Sequence, residues 1–276
     1  MKTLYISDLD GTLLNSAAEL SDNTVSTINR LVDEGMYFTF ATARTLYSAA
    51  SITERLKINV PCILNNGAGI YDPNGGTYVK KACIPINVSK KIISAFRKND
   101  VRCFLFKFAE GRLVTCYDKI TEELMQSYVN ERRTKFDQPF MECADILDEL
   151  DETAVYINSC GEFEKLRPVR NSVGEIEGAG FEFYEDTYTK KWYLETFSAA
   201  ASKGSGIKYL RETYGFERVV AFGDNLNDLS MFEQADVKIA VENGNSRLKE
   251  EADVVIKSND DDGVAIYLGQ HRTKTA

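Results

Sequence analysis

The sequence predicts an α/β fold: a doubly wound parallel sheet interrupted by an inserted α+β domain. Two observations carry that prediction. Short apolar runs alternate with amphipathic stretches at both ends of the chain, which implies parallel strands covered by helices on both faces. The middle instead brings strand-like runs so close together that only hairpins can join them. With 276 residues, the chain has room for one large domain or two modest ones.

At the N-terminal end, 3–7 (TLYIS) reads as a buried strand and 22–34 as a helix with Val25, Ile28 and Val32 on one face. A strand at 36–41, a helix at 45–56 and a strand at 60–64 follow. The rhythm resumes late in the chain. A helix at 203–214 carries Ile207, Leu210 and Tyr214, and 218–222 (RVVAF) is a strand. A helix over 226–234, strands near 237–241 and 253–256, and a last helix complete it. Between these halves lie a helix at 88–98 and the runs 101–108 and 112–117, separated by Gly111. A helix at 121–134 carries Leu124, Met125, Tyr128 and Val129, and strands follow at 154–159, 181–185 and 191–197, with a helix from 162. The expected division is a core of 1–82 and 189–276 with an insertion at 83–188.

Composition narrows the function. Hydrophobic residues at 43% and charged residues at 27% exclude wholesale disorder. The longest uncharged run, Ile58–Tyr71, falls short of the ~20 apolar residues that a membrane span needs. The start, MKTLYISD, leaves too little between Lys2 and Asp8 for a secretory signal, so a cytoplasmic protein without a membrane partner is expected. A net charge of −9 with no basic cluster argues against nucleic acid. The six cysteines include no CxxC pair, and several sit in apolar runs, so buried free thiols are expected. The one histidine is His271, near the end of the chain. Catalysis must therefore rest on carboxylates, lysine, hydroxyls or a metal held by oxygen, unless the tail supplies a base.

Four places fit that requirement, each where a core strand ends or a helix begins. In open parallel sheets such places converge on one crevice at the carboxyl ends of the strands. Asp8-Leu9-Asp10-Gly11-Thr12 follows the first strand, and side chains two apart on extended chain point the same way. Two carboxylates in one site suit a hard divalent cation, or one carboxylate attacking while the other moves protons. A plain acidic turn reads as well. Gly223-Asp224-Asn225-Leu226-Asn227-Asp228 follows another strand, with Asp224 and Asp228 spaced to stack on a helix face. An Asx-rich helix cap is an equal reading. Thr42, with Arg44 two residues on, ends a strand and reads alone as a helix cap. Lys203 opens a helix, where a cation opposes the macrodipole unless an anion is bound beside it.

Taken in order, these four places resemble the haloacid dehalogenase (HAD) superfamily of phosphoryl-transfer enzymes. Asn65-Asn66-Gly67-Ala68 resembles the NGA segment of the Cof-type branch, and LETFSAAASKGSGI its lysine motif. Ile239–Asn245 and Asp262-Gly263-Val264 resemble its closing segments. The resemblance spans both core halves and implies a Rossmann-like core, with the insertion in the position of a type-2 cap. Ala43 departs from the pattern, since many relatives have glycine there.

The resemblance implies a Mg²⁺-dependent phosphatase that hydrolyses small phosphorylated metabolites, sugar phosphates in particular, through an aspartyl-phosphate. Asp8 is then the nucleophile and Asp10 the acid and base, with Lys203 completing the catalytic set. Asp8, Asp10 (through its carbonyl), Asp224 and Asp228 are the implied metal site, and without the cation the acids should raise one another's pKa values. Thr42, Ala43, Arg44, Asn66, Gly67, Lys203 and Asn227 are the implied substrate contacts. Trp192, Tyr184 and Arg102 are further candidate substrate contacts, and the insertion is expected to close over the site. The implied partner is a small phosphate ester, and the sequence is silent on oligomeric state. Two alternatives stand beside this reading: a phosphomutase of the phosphomannomutase type, and a non-catalytic sensor of phosphorylated ligands.

Overall fold

Thr3–Ser7 forms β1, a strand buried at every position, as the uncharged run TLYIS requires inside a parallel sheet. The computed structural model describes residues 1–120, 123–186 and 190–271. The chain divides into two compact units, Met1–Lys80 with Ser202–Ala276, and Lys81–Ala201. After β1 come α1 (Asp22–Asp33), β2 (Tyr37–Phe40), α2 (Leu46–Thr53), β3 (Cys62–Leu64), β4 (Gly69–Asp72) and β5 (Thr77–Lys81). The insertion contributes α3 (Ile86–Lys98), β6 (Phe104–Ala109), β7 (Arg112–Tyr117), α4 (Glu123–Phe136), β8 (Phe140–Glu142), β9 (Ala154–Gly161), α5 (Phe163–Gly174), β10 (Ala179–Glu185) and β11 (Trp192–Ser198). The chain then continues as α6 (Lys203–Tyr214), β12 (Arg218–Gly223), α7 (Leu229–Phe232), β13 (Val237–Val241), α8 (Ser246–Glu250), β14 (Val254–Ile256) and α9 (Gly263–His271).

The first unit is built on a parallel sheet in the order β14-β13-β12-β1-β2. Alternation along the strands sends side chains to two separate cores. Leu4, Ile6, Val219 and Ala221 join Ile207 and Leu210 of α6 on one face. Tyr5, Val220 and Phe222 join Val25 and Ile28 of α1 and Leu268 of α9 on the other. The chain leaves β1 in one direction to β2, while β12 lies on its other side. That reversal of strand order opens a crevice at the carboxyl ends of β1 and β12.

Two elements differ from expectation. The strand at 60–64 pairs antiparallel with β4 in a three-stranded sheet with β5, and a single bridge from Ile63 to Ala41 links it to the β2 side. That bridge is parallel, and the strand is shorter than expected at its start, Cys62 rather than residue 60, before Asn65, Asn66 and Gly67, all at positive φ, turn the chain back into β4. The helix expected over 226–234 is a 3₁₀ turn at Leu226–Asp228 followed by the one-turn α7.

The second unit is a six-stranded sheet in the order β10-β11-β9-β6-β7-β8, antiparallel except for the β7–β8 pair. Glu110 and Gly111, both at positive φ, make the expected hairpin between β6 and β7. Ile92 and Phe96 of α3 and Leu166 and Val169 of α5 pack with Leu105, Ile157 and Leu194 in one core. Tyr128 of α4 stacks on Phe104 of the sheet. Positions 121–122 of the helix expected at 121–134, and the division expected at 188/189, lie outside the described residues. β11 nevertheless corrects the division. It pairs with β9 on one side and β10 on the other, so 192–198 belongs to the insertion, and the first unit resumes at Ser202. All six cysteines are free, and Cys62, Cys103, Cys116 and Cys160 are buried.

Glu195 on β11 is a buried carboxyl in this second unit. Burial pushes it up to about 7, against the hydrogen bond that the Tyr156 hydroxyl donates to it at 2.6 Å. Folding therefore favours the protonated acid. Its contribution is full below the ordinary value of 4.5 and is lost as pH rises through about 7. Trp192, the only tryptophan, lies three residues away and reports on this unit. Its fluorescence should show a lower urea midpoint at pH 8 than at pH 5, with a stability loss of up to about 3 kcal/mol. Glu195→Gln should remove most of that loss.

Candidate active site

Asp8 stands where β1 ends, and its backbone N–H donates to the Phe222 carbonyl of β12 at 2.9 Å. This pairing sets the first acid beside the loop that carries the other two. Asp224 follows β12 directly, and Asp228 closes the 3₁₀ turn behind it. Oδ2 of Asp228 accepts from the backbone N–H groups of Asp224 (2.9 Å) and Asn225 (3.0 Å). Asp228 thus caps its own loop with one oxygen and leaves the other for the site. Oxygens of Asp8, Asp224 and Asp228 lie within 4.8 Å of one another.

Lys203 enters this cluster from the N-terminus of α6. Its ammonium donates to Oδ1 of Asp8 at 2.6 Å and to Oδ1 of Asp228 at 2.7 Å. The lysine is 1% exposed, and neither partner exceeds 5%. Ser202 caps the helix reciprocally with Ser205. Gly204 lets it approach closely, since a Cβ there would meet the Ser230 carbonyl oxygen at 2.1 Å. The run Ser-Lys-Gly-Ser is thereby explained as one device that delivers a buried ammonium.

One lysine cannot neutralise three acids. Burial raises Asp8 well above the carboxylate range; Lys203 opposes this, while Asp228, Asp224 and Asp10 add to it. Asp224 is pushed to about 7, by burial and then by Asp228. Burial also works against the charge on Lys203, but Asp228 and Asp8 outweigh it and hold the ammonium above its ordinary range. The cluster therefore holds excess negative charge and offers only hard oxygen donors, all within 4.8 Å of one another. Those properties fit a small divalent cation.

Around the cluster, Thr12 donates its hydroxyl to Oδ1 of Asp224 at 3.0 Å, and Gly11 makes the approach feasible. Gly11 is at φ +79°, where a Cβ would stand 2.5 Å from Oδ2 of Asp224. Arg44 forks onto Asp10 through Nε (2.8 Å) and Nη2 (2.6 Å). The sequence offered Arg44 as a substrate contact; in the structure its guanidinium grips the second acid. The Thr42 hydroxyl accepts from the Arg44 N–H at 3.1 Å, and the Thr42 carbonyl from the Asn66 N–H at 3.0 Å. Ala43 is not at positive φ, so its methyl imposes no backbone strain. Gly67 lies against the Ser202 carbonyl beside Lys203, and Asn227 lies between Asp224 and Asp228 on their loop.

Asp8, Lys203, Asp224 and Asp228 thus form one cluster, with Asp10 and Arg44 paired in the same unit. His271 stacks on Tyr267 at the end of α9 and belongs to no part of it. In the second unit, Trp192 packs against Phe163 and Phe183, Tyr184 stacks on Tyr193, and Arg102 faces Asp118 at 3.8 Å. Sequence reasoning assigned no role to Thr12, although it stands within the first motif.

A switch-point crevice in a doubly wound sheet, holding two buried carboxylates, a half-buried third and a buried lysine, defines a phosphoryl-transfer type of site. The sequence profile of the haloacid dehalogenase-like hydrolases matches residues 5–268. The chain is 26% identical over 268 residues to 5-amino-6-(5-phospho-D-ribitylamino)uracil phosphatase YitU of Bacillus subtilis, covering 96% of this chain and 95% of that protein. It is 24% identical to pyridoxal phosphate phosphatase YbhA of Escherichia coli, covering 96% of each. A solved haloacid dehalogenase-like hydrolase from B. subtilis superposes with a TM-score of 0.79 at 26% identity, covering 99% of this chain and 100% of that one. The chain belongs to the haloacid dehalogenase-like hydrolase family. It is an enzyme, a phosphatase of the HAD type.

Removing the ammonium leaves Asp8 and Asp228 buried without their partner. Lys203→Met is expected to cost about 3–5 kcal/mol in metal-free protein at pH 7.5, read by urea unfolding. The loss should shrink as pH falls, because the raised Asp8 carboxyl protonates more readily than an ordinary one.

Proposed function

We propose that the protein is a Mg²⁺-dependent phosphatase of small phosphorylated metabolites, sugar phosphates among them, working through an aspartyl-phosphate on Asp8. The observation that carries this reading is the Lys203 ammonium held between Asp8 and Asp228, with the Asp224 carboxylate close by. A carboxylate presented at the end of β1 and flanked by fixed charge suits attack on phosphorus.

In the first step an Asp8 oxygen forms a bond to phosphorus as the ester P–O bond breaks. Asp10 gives its proton to the departing alcohol. In the second step Asp10 takes a proton from the water that attacks the phosphoryl group, and inorganic phosphate leaves with Asp8 restored. The Arg44 fork holds the Asp10 carboxyl in a defined orientation between these transfers. Lys203 and Asn227, with the Thr42 hydroxyl, are the proposed contacts for phosphoryl oxygens, and Ala43, Asn66 and Gly67 line the site. Asp8, Asp224, the Asp10 carbonyl and Asp228 would hold Mg²⁺, which would supply the charge neutralisation that lets a phosphate dianion approach the acids. Residues 81–201 take the cap role in this reading.

The named activities of two relatives guide the choice of substrates. Phosphate release should be measured from sugar phosphates, nucleotides, pyridoxal phosphate and 5-amino-6-(5-phospho-D-ribitylamino)uracil, with Mg²⁺ and with EDTA. Turnover is expected with Mg²⁺ only, and Asp8→Asn should lower it at least about 1000-fold. Unchanged release by Asp8→Asn would refute the nucleophile assignment. Turnover that needs a bisphosphate activator would replace the phosphatase with a mutase.

A further inference from the structure

The segment after β13, Glu242-Asn243-Gly244-Asn245, touches both acid-bearing loops. Asn243 donates from Nδ2 to the Gly11 carbonyl at 2.8 Å, and its Oδ1 accepts from the Asn259 N–H at 3.0 Å. Asn259 is buried and in turn donates from its Nδ2 to the Leu14 carbonyl at 2.9 Å. The two asparagines therefore form a continuous strut with its ends on the loop that begins at Asp8. Two residues on, the Asn245 N–H donates to the Asp224 carbonyl at 2.7 Å. Gly244 lies so close that a Cβ there would stand 3.2 Å from the Asp224 Cα. One short segment thus holds the Asp8–Asp10 loop through Asn243 and the Asp224 loop through its backbone.

We propose that Asn243 is a positioning residue for phosphoryl transfer, keeping the loop of Asp8 and Asp10 in register with Asp224. The inference rests on the reading above, in which Asp8 and Asp224 share the cation and Asp8 attacks. Its physical basis is a lack of slack. Gly11 has no room for even a Cβ beside the Asp224 carboxylate, so a shift of its carbonyl changes the spacing between the two acids. An exposed side-chain hydrogen bond contributes little to overall stability, whereas small displacements of reacting groups cost rate steeply. Loss of the strut should therefore appear in catalysis and cation affinity before it appears in folding.

The test compares full-length wild type, Asn243→Ala, Asn259→Ala and the double variant. The readouts are p-nitrophenyl phosphate turnover, calorimetric titration with Mg²⁺ alone, and thermal unfolding. Asn243→Ala is expected to lower kcat about 10-fold or more with KM within about 2-fold. Its Mg²⁺ dissociation constant should rise about 3- to 10-fold, while Tm moves by no more than about 3 °C. The double variant should lose no more kcat than the poorer single one, because both residues belong to one strut. Wild-type kcat and Mg²⁺ affinity in Asn243→Ala would overturn the proposal, as would a kcat loss that merely follows a large fall in Tm. Wild type that binds Mg²⁺ without turnover would refute the phosphatase reading alone, and the Mg²⁺ titrations would still decide the strut. Wild type that neither turns over nor binds Mg²⁺ would overturn both.

Discussion

The buried ammonium of Lys203, bonded to Asp8 and Asp228, is the contact on which the charge balance of the first unit's acid cluster depends. Two charges at hydrogen-bond distance attract strongly when water is excluded, but each is costly to bury alone. The arrangement persists because the remaining lone pairs are also used. Asp228 accepts two backbone N–H groups, Asp224 accepts the Thr12 hydroxyl, and the helix carrying the lysine is reciprocally capped at Ser202. Charge balance is nevertheless incomplete. Three acids against one lysine leave a site that takes up protons or a cation, and the raised values of Asp8 and Asp224 express the same imbalance.

The fold supplies the geometry that makes this feasible. β1 and β12 are parallel neighbours in register, so Ser7 stands beside Phe222 and the acids that follow each strand emerge side by side. The strand order reverses at β1, which keeps helices from covering the carboxyl ends. α6 then crosses one face of the sheet through Ile207 and Leu210 and presents its first residue to the acids. The stability of the sheet and the placement of the charges thus share the same residues. Distortion in the α6 packing would reach the site directly.

Much of this was legible in the chain. The run TLYIS followed by DLDGT marks a buried strand ending in paired carboxylates, and RVVAF followed by GDNLND marks a second. Parallel topology brings such ends together without further information. The approach of Lys203 was legible only as an electrostatic oddity, a cation at a helix start. What stayed hidden depends on pairings between distant segments. Arg44 meets Asp10 because the loop after β2 folds across the first motif, and spacing alone does not reveal that partnership. Residues 192–198 read equally well as a strand of either unit until their neighbours β9 and β10 are known. The antiparallel partner of β3 was hidden because the positive-φ turn at 65–67, which returns the chain as β4, has no apolar periodicity to mark it. Asn243 stands within the segment Ile239–Asn245 that resembles the family, but its bond to a carbonyl more than two hundred residues away had no signal in the spacing.

The central claim is that Asp8 carries the phosphoryl group. Millisecond acid quench during p-nitrophenyl phosphate turnover with Mg²⁺, followed by peptide mapping by mass spectrometry, tests it most directly. The account predicts a hydroxylamine-labile phosphoryl group on the peptide containing Asp8, absent from Asp8→Asn. Steady turnover with no covalent phosphate trapped at any time, or with the label on another residue, would contradict it.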